Sequence, residues 1–441
     1  MDKEKKSIIL QTENKNLNLK KQVSRYHLMI SYSLLLIAIG LFSETPANLW
    51  EGTLRIFTSP SNLLTDYFAV GNFGSAFVNS GILTLVSVLV VRSHGATVSG
   101  PLIAAFFTVS GFSFFGKNLY NSLPIIIGVY CYAKLVHKPY SQYLLVALFG
   151  SSISPVISYL TFGTNLPLSI GIPLGYIVGI LVGMVLPPLA SQFLLFHQGF
   201  SLYNVGFTAG IVAMFVTSMY RLFGGEISTI SILSTDYHSM IVIFLLVLFS
   251  CLFIIGFFLN RKSFEGLKEI FASSGTLVTD FVAIAEIGAT MMNMSIVGFM
   301  LFGFVKLMGG TFSGPILGGV LTVVGFSAFG NHWKNSLPIL IGVVLASKLS
   351  PDFSGDTFTV ILSAIFGTSL APISGYYGAF YGILAGFIHL TLVSNITYLH
   401  GGLNLYNNGF SCGFVAAFMV PLLDTISQVK RGKTHAGKRK I

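Results

Sequence analysis

The sequence is written twice. Thr65-Asp66 returns as Thr279-Asp280, Ser99-Gly100-Pro101 as Ser313-Gly314-Pro315, and Gly111-Phe112-Ser113 as Gly325-Phe326-Ser327, all at an offset of 214 residues. Asn121-Ser122-Leu123-Pro124 returns as Asn335-Ser336-Leu337-Pro338 at the same offset, and Lys134 matches Lys348 without a gap. Pro155 matches Pro372 after a small insertion. After a deletion, His197, Gly199, Leu202, Tyr203, Asn204, Gly206, Phe207 and Gly210 match His400, Gly402, Leu405, Tyr406, Asn407, Gly409, Phe410 and Gly413. That many ordered matches define an internal duplication, with halves at about 26–223 and 238–424. Whatever one half folds into, the other must fold into as well, and the two must fit each other.

Composition sets the solvent. Of 441 residues 53% are hydrophobic and 9% charged, where a soluble domain carries about 25%. A soluble enzyme, a disordered chain and a small disulfide scaffold are excluded, because the residues for a charged surface are missing. Each half holds seven apolar segments, several shorter than the roughly 20 residues of a straight span. The expected fold is an all-α polytopic membrane protein of two repeats with five to seven membrane segments each, some of them re-entrant or half-helices. The amphipathic stretches 52–72 and 264–286 should lie at the interface or re-enter.

The net charge of +10 does not point to nucleic acid. Thirteen of the 25 Lys and Arg lie in the tails, residues 1–25 and 425–441, flanking apolar runs as the positive-inside rule expects. Both tails are therefore assigned to the cytoplasm. The loop after the first segment holds Glu44 and Glu51 against Arg55, whereas its twin holds Arg261, Lys262 and Lys268. The linker 224–237 has Glu226 and Asp236 and no Lys or Arg, which places it outside. Arg92, Lys134 and Lys138 fall inside, while Asp352 and Asp356 fall outside. Equivalent loops carry opposite charge, so the two repeats should be inverted copies, as in channels and transporters.

The polar residues of the apolar segments are the candidate solute site. Asn121, Ser122 and Pro124, with Asn335, Ser336 and Pro338, read as helix starts, where free N–H groups inside the membrane would face a path between the halves. Capped helices starting at the surface are the other reading. Tyr203-Asn204 and Tyr406-Asn407 open the last helix of each half and offer donors and acceptors, or a packing motif. Ser113, Ser327, Asn79 and Asn293 could line the same cavity. Asp66, Asp280 and Glu286 are helix caps, or the carboxylates that would couple an ion. Lys117 lacks a basic twin, since Asn331 replaces it. It reads as a surface lysine, and would bias the site toward anions if buried. His197 and His400 form a symmetric pair that reads as loop histidines before the last helix of each half, the other reading being paired pore histidines as in ammonium channels. Cys131, Cys251 and Cys412 show no disulfide or metal spacing, and no nucleophile–base set appears. No catalytic residue, metal or cofactor is therefore expected.

With Asn121–Val129, Leu202–Gly210 and their twins, the whole chain resembles an uncharacterised family of two-repeat bacterial membrane proteins. More weakly, Phe115–Val129 and the blocks Leu202–Phe207 and Leu405–Phe410 are similar to motifs of bacterial urea transporters. The Leu-Pro-x-x-Thr-x-Pro-Phe signature of that family is absent; Pro155 and Pro372 lack its neighbours. The resemblance implies two inverted bundles, a central path, a homo-oligomer and a bacterial inner membrane, without transferring a substrate. The expected function is a channel or transporter for a small polar solute in the lipid bilayer, not an enzyme. The alternatives are an ion-coupled carrier using Asp66, Asp280 or Glu286, and a non-transporting scaffold or receptor.

Overall fold

The computed structural model describes residues 2–438 except 62–63, 228–230 and 354, with side chains described from 21 to 428 except at 352. The first half runs α1 (Asp2–Ser43), α2 (Pro46–Thr58), α3 (Tyr67–Val70), α4 (Phe73–Ser93), α5 (Gly100–Phe112), α6 (Leu119–Leu135), α7 (Leu144–Gly150), α8 (Pro155–Ser158), α9 (Leu168–Phe196) and α10 (Asn204–Leu222). The second runs α11 (His238–Leu259), α12 (Leu267–Ala272), α13 (Phe281–Leu307), α14 (Gly314–Phe326), α15 (Trp333–Leu349), α16 (Thr357–Gly367), α17 (Ala371–Tyr377), α18 (Ala379–His400) and α19 (Asn407–Lys438). The expected tails are continuous with α1 and α19. A parallel ladder of β1 (Leu64–Thr65) and β2 (Ser231–Ile232) ties the linker to the loop after α2.

Helix starts follow local chemistry. α5 and α14 open with Ser-Gly-Pro, whose proline sits in the first turn, where its missing N–H costs nothing. At α6, Asn118 is the cap: its Oδ1 accepts from Asn121 N at 3.0 Å, and Asn121 Oδ1 accepts from Asn118 N at 2.9 Å. Asn121 is thus the third helical residue, not the cap expected from sequence.

Among the described residues nine helices are long and apolar enough to cross a bilayer, and α7 with α8 adds a tenth, bent by 43°. Five fall in each half: α1, α4, α7–α8, α9 and α10, then α11, α13, α16–α17, α18 and α19. α5 and α6 do not cross. α5 starts just after α4 ends, and Tyr140, which follows α6, packs its ring 5.0 Å from His94 at that same end of α4. The pair is a re-entrant hairpin, and α14 with α15 is its twin. Five crossings per half is odd, so the copies must be inverted.

Contacts agree. Lys21 and Arg25 of α1 pair with Glu286 at 2.9 and 3.7 Å, and Gly288 packs against Asn260 just past the end of α11. The apolar stretch of α1, Lys21–Ser43, therefore begins on the face where its twin α11 finishes. This basic face carries Arg92, Lys134, Lys138, Arg261, Lys262 and Lys268; the opposite face carries the linker.

The seam between the halves is α5 against α14. They run antiparallel and touch backbone to backbone at Gly111 and Gly318, where a side chain on either would collide with the other helix. α6 and α15, whose starts would face a path between the halves, do not pack along each other among the described residues. Tyr203 and Tyr406 meet there instead, ring centroids 4.9 Å apart. Exposed Ile177, Leu181, Ile243 and Val247 face lipid.

Candidate functional site

Most of the polar residues picked out by sequence are used by the fold. Asn121 Nδ2 donates to Gly116 O at 3.0 Å and to Ser158 Oγ at 2.9 Å, and Asn335 Nδ2 donates to Gly330 O at 3.0 Å. Ser122 and Ser336 bond to these asparagines. Pro124 and Pro338 pack against Gly179 and Gly382. Ser113 and Ser327 hydroxyls donate back to Val109 O and Val323 O. Asn79 Nδ2 donates to Ser113 O at 2.7 Å and Lys117 O at 2.9 Å; its twin Asn293 does the same to Ser327 O and Asn331 O at 2.7 and 2.9 Å. These two asparagines close the hairpin turns.

The carboxylates are caps, arranged crosswise. Asp66 accepts from Phe68 N in its own half and from Gly314 N, the start of α14, at 3.0 Å. Asp280 accepts from Val282 N in its own half and from Gly100 N, the start of α5, at 3.0 Å. Each half thus caps the other's hairpin. Glu286 is exposed on the basic face in its ion pairs with Lys21 and Arg25. It stands where Asn72 caps α4 in the first half. None of the three lines the cavity described next.

That cavity, about 530 Å³, opens near the linker face. Its wall is built mostly from the second half, by α16, α18 and the start of α19, with Leu64 and Phe115 from the first half. Asp356 stands at the mouth as the cap of α16, accepting from Thr359 N at 3.0 Å. Deeper, Ser363, Asn407 and Asn408 present polar groups, with Asn395 and Thr397 on the more open α18 wall, and Phe115, Phe366 and Leu405 close the inner end. The expected path between the halves is therefore displaced into the second half. Of the predicted residues only Asn407 lines this cavity, and Tyr203, Tyr406 and Asn204 lie behind it or in the other half.

Histidines fix the two amides. His400 Nε2 lies 2.7 Å from Asn407 Oδ1, and Asn407 Nδ2 donates to Thr397 Oγ1 at 2.9 Å. His197 holds Asn204 in the same way at 2.9 Å. The second clamp has no counterpart: His389 Nε2 lies 3.1 Å from Asn408 Oδ1, and its Nδ1 lies 3.0 Å from Ser411 Oγ. A neutral ring protonated at Nε2 satisfies both contacts. Asn408 then has its oxygen taken, and its amide nitrogen is left to the cavity. The twin positions are Leu186 and Val205. Sequence reading missed Asn408 and His389, yet the signal was present where Tyr203-Asn204-Val205 becomes Tyr406-Asn407-Asn408.

Lys117 corrects a second expectation. It is not on the surface: its side chain is buried at the hairpin tip and donates to Ser151 Oγ.

A family described as proteins of unknown function (DUF1576) matches residues 45–222 and 259–425. The chain belongs to this family. The two matched stretches correspond to the two repeats. No curated protein and no solved structure matches the chain.

Proposed function

We propose that this membrane protein of the DUF1576 family moves a small polar solute across the bilayer, with the cavity ending on Asn407 and Asn408 as its entry site. The observation that carries this reading is the clamped Asn408. A buried histidine spends its ring on orienting one amide toward an opening about 530 Å³ in volume, an expense a packing motif does not require. Five crossings per half with a re-entrant hairpin in each is compatible with a channel or transporter. Hydrogen-bond geometry, not a ring of charge, selects the solute at this depth. A bacterial inner membrane, cytoplasmic termini and a homo-oligomer belong to the same proposal, as does the absence of enzymatic chemistry.

The test is stopped-flow light scattering on proteoliposomes with urea, glycerol, acetamide and sodium acetate as solutes. At least one should cross faster than in protein-free vesicles. Asn408→Val, which installs the first-half residue, should slow it about tenfold, the loss of one or two hydrogen bonds at about 1 kcal/mol each. Equal flux with and without protein for all solutes, or full flux in Asn408→Val, refutes the reading.

A further inference from the structure

Lys117 has no use in the fold that its twin does not fill without charge. Its side chain is 1% exposed, and its ammonium donates to the Ser151 hydroxyl at the bend between α7 and α8. At the equivalent place Asn331 donates to Thr368 Oγ1 at 3.4 Å. A neutral pair is therefore enough to close the hairpin. No carboxylate among the described residues pairs with Lys117. An ammonium carries three donors, and among the described residues only one is filled. Ser152 and Ser154 of the same bend, 1% and 0% exposed, have hydroxyls without a partner among the described residues. A charge buried at this depth persists only with a counter-ion and is otherwise given up with its proton, and no counter-ion stands beside Lys117 among the described residues.

The cavity ends beside this spot. Phe115 and Leu405 form its inner wall. The Leu405 side chain packs onto Gly116, and its N–H donates to Ser152 O at 3.1 Å. Leu405 thus touches both the opening and the bend that holds Lys117. The acidic residue of the lining, Asp356, is committed to capping α16 at the mouth.

We propose that the cavity takes a small anion, organic or inorganic, whose charge is received by Lys117 Nζ and the Ser151–Ser152 hydroxyls once Leu405 turns aside. This rests on the cavity being the solute site and narrows the solute from polar to anionic. Asn408 Nδ2 is a donor on the way in, which suits the same chemistry. The lysine is a solute-binding residue, and the missing counter-ion is the solute.

The test reads charge and not transport, so it separates this proposal from the one above. In a Cys131→Ser, Cys251→Ala background, Leu405→Cys is placed at the inner wall, with Ser363→Cys as a second reporter and Thr359→Cys as a control at the mouth. Each is modified in detergent by two methanethiosulfonates of similar size, one sulfonate and one trimethylammonium. The sulfonate-to-ammonium rate ratio at the inner reporters should fall about tenfold when Lys117→Asn is added, the low end of what a focused field gives. It should stay high in Lys117→Arg and change little at Thr359→Cys. Sodium acetate or sodium phosphate should slow modification of the inner reporters, and acetamide should not. Slowing by acetate alone identifies a carboxylate, and slowing by phosphate alone an inorganic anion. A ratio unmoved by Lys117→Asn, equal protection by acetamide, or no reaction of either reagent at both inner positions overturns the proposal.

Discussion

Replacing Asn79 by alanine should loosen the first hairpin, and replacing Asn293 should loosen the second by the same amount. Each amide nitrogen spans two carbonyls of a buried turn, at 2.7 and 2.9 Å in both halves. Both residues are at most 4% exposed, so water cannot take over. Asn79 lies six residues into α4, about 9 Å along the helix, which puts the turn within the bilayer. A carbonyl that loses its donor away from water costs about 1–3 kcal/mol, whereas interhelical hydrogen bonds in membrane proteins average about 0.6 kcal/mol. Two bonds per residue bracket the loss between about 1 and 6 kcal/mol. The turn carbonyls have no helix to rejoin, and the hairpin can relax only partly, so about 2 kcal/mol per site is the expected value. That is roughly a thirtyfold change in the folding equilibrium. The assay is unfolding by sodium dodecyl sulfate in mixed micelles, followed by far-UV circular dichroism. The two sites lie in different halves, so the double variant should lose about 4 kcal/mol. If both single variants unfold within about 0.5 kcal/mol of the parent but lose solute flux, the residues line a path as the sequence suggested, and the structural reasoning fails.

Two shorter tests follow. Glu286→Gln removes two ion pairs of an exposed carboxylate and should change stability by less than about 1 kcal/mol, with flux and its dependence on ion gradients unchanged; a lost gradient dependence would return Glu286 to a coupling role. Inverted repeats require that Ser141→Cys and Glu265→Cys react with an impermeant maleimide from one side of the membrane, and that Thr235→Cys and Thr311→Cys react from the other. Any mixed pattern contradicts the topology.

The duplication carried the fold, because matched residues at a fixed offset force matched elements, and the sparse loop charges carried their relative direction. The short segments around Gly100–Phe112 and Leu119–Leu135 exposed the re-entrant hairpins. What stayed hidden was the use of each polar group. A residue such as Asn121 at a helix start satisfies its own backbone first, and sequence cannot distinguish that from a side chain offered to a solute. Lys117 was misplaced for a related reason. A loop between two helices reads as surface, and only the depth of a re-entrant turn buries it. Asp66 and Asp280 could be suspected as caps, but not that each caps the helix of the opposite repeat, since that contact spans 248 and 180 residues.

Matched residues build the scaffold of both halves, whereas the His389–Asn408 pair beside the cavity has no counterpart in the first half, where Leu186 and Val205 stand. That contrast supports a reciprocal experiment. Leu186→His with Val205→Asn copies the second-half clamp into the first half, where Thr208 already stands at the position of Ser411. α9 with α10 repeats the backbone of α18 with α19, so the new imidazole and amide should meet as His389 and Asn408 do. Leu186→His alone leaves a polar ring at a site now 0% exposed, a cost of about 3 kcal/mol or more once the lost packing is added. Adding Val205→Asn supplies the missing acceptor and should restore at least about 1 kcal/mol of that loss. The same micelle unfolding assay measures all three variants. A double variant no more stable than the sum of the singles would mean that the two halves do not share the geometry on which the comparison of Asn408 with Val205 depends.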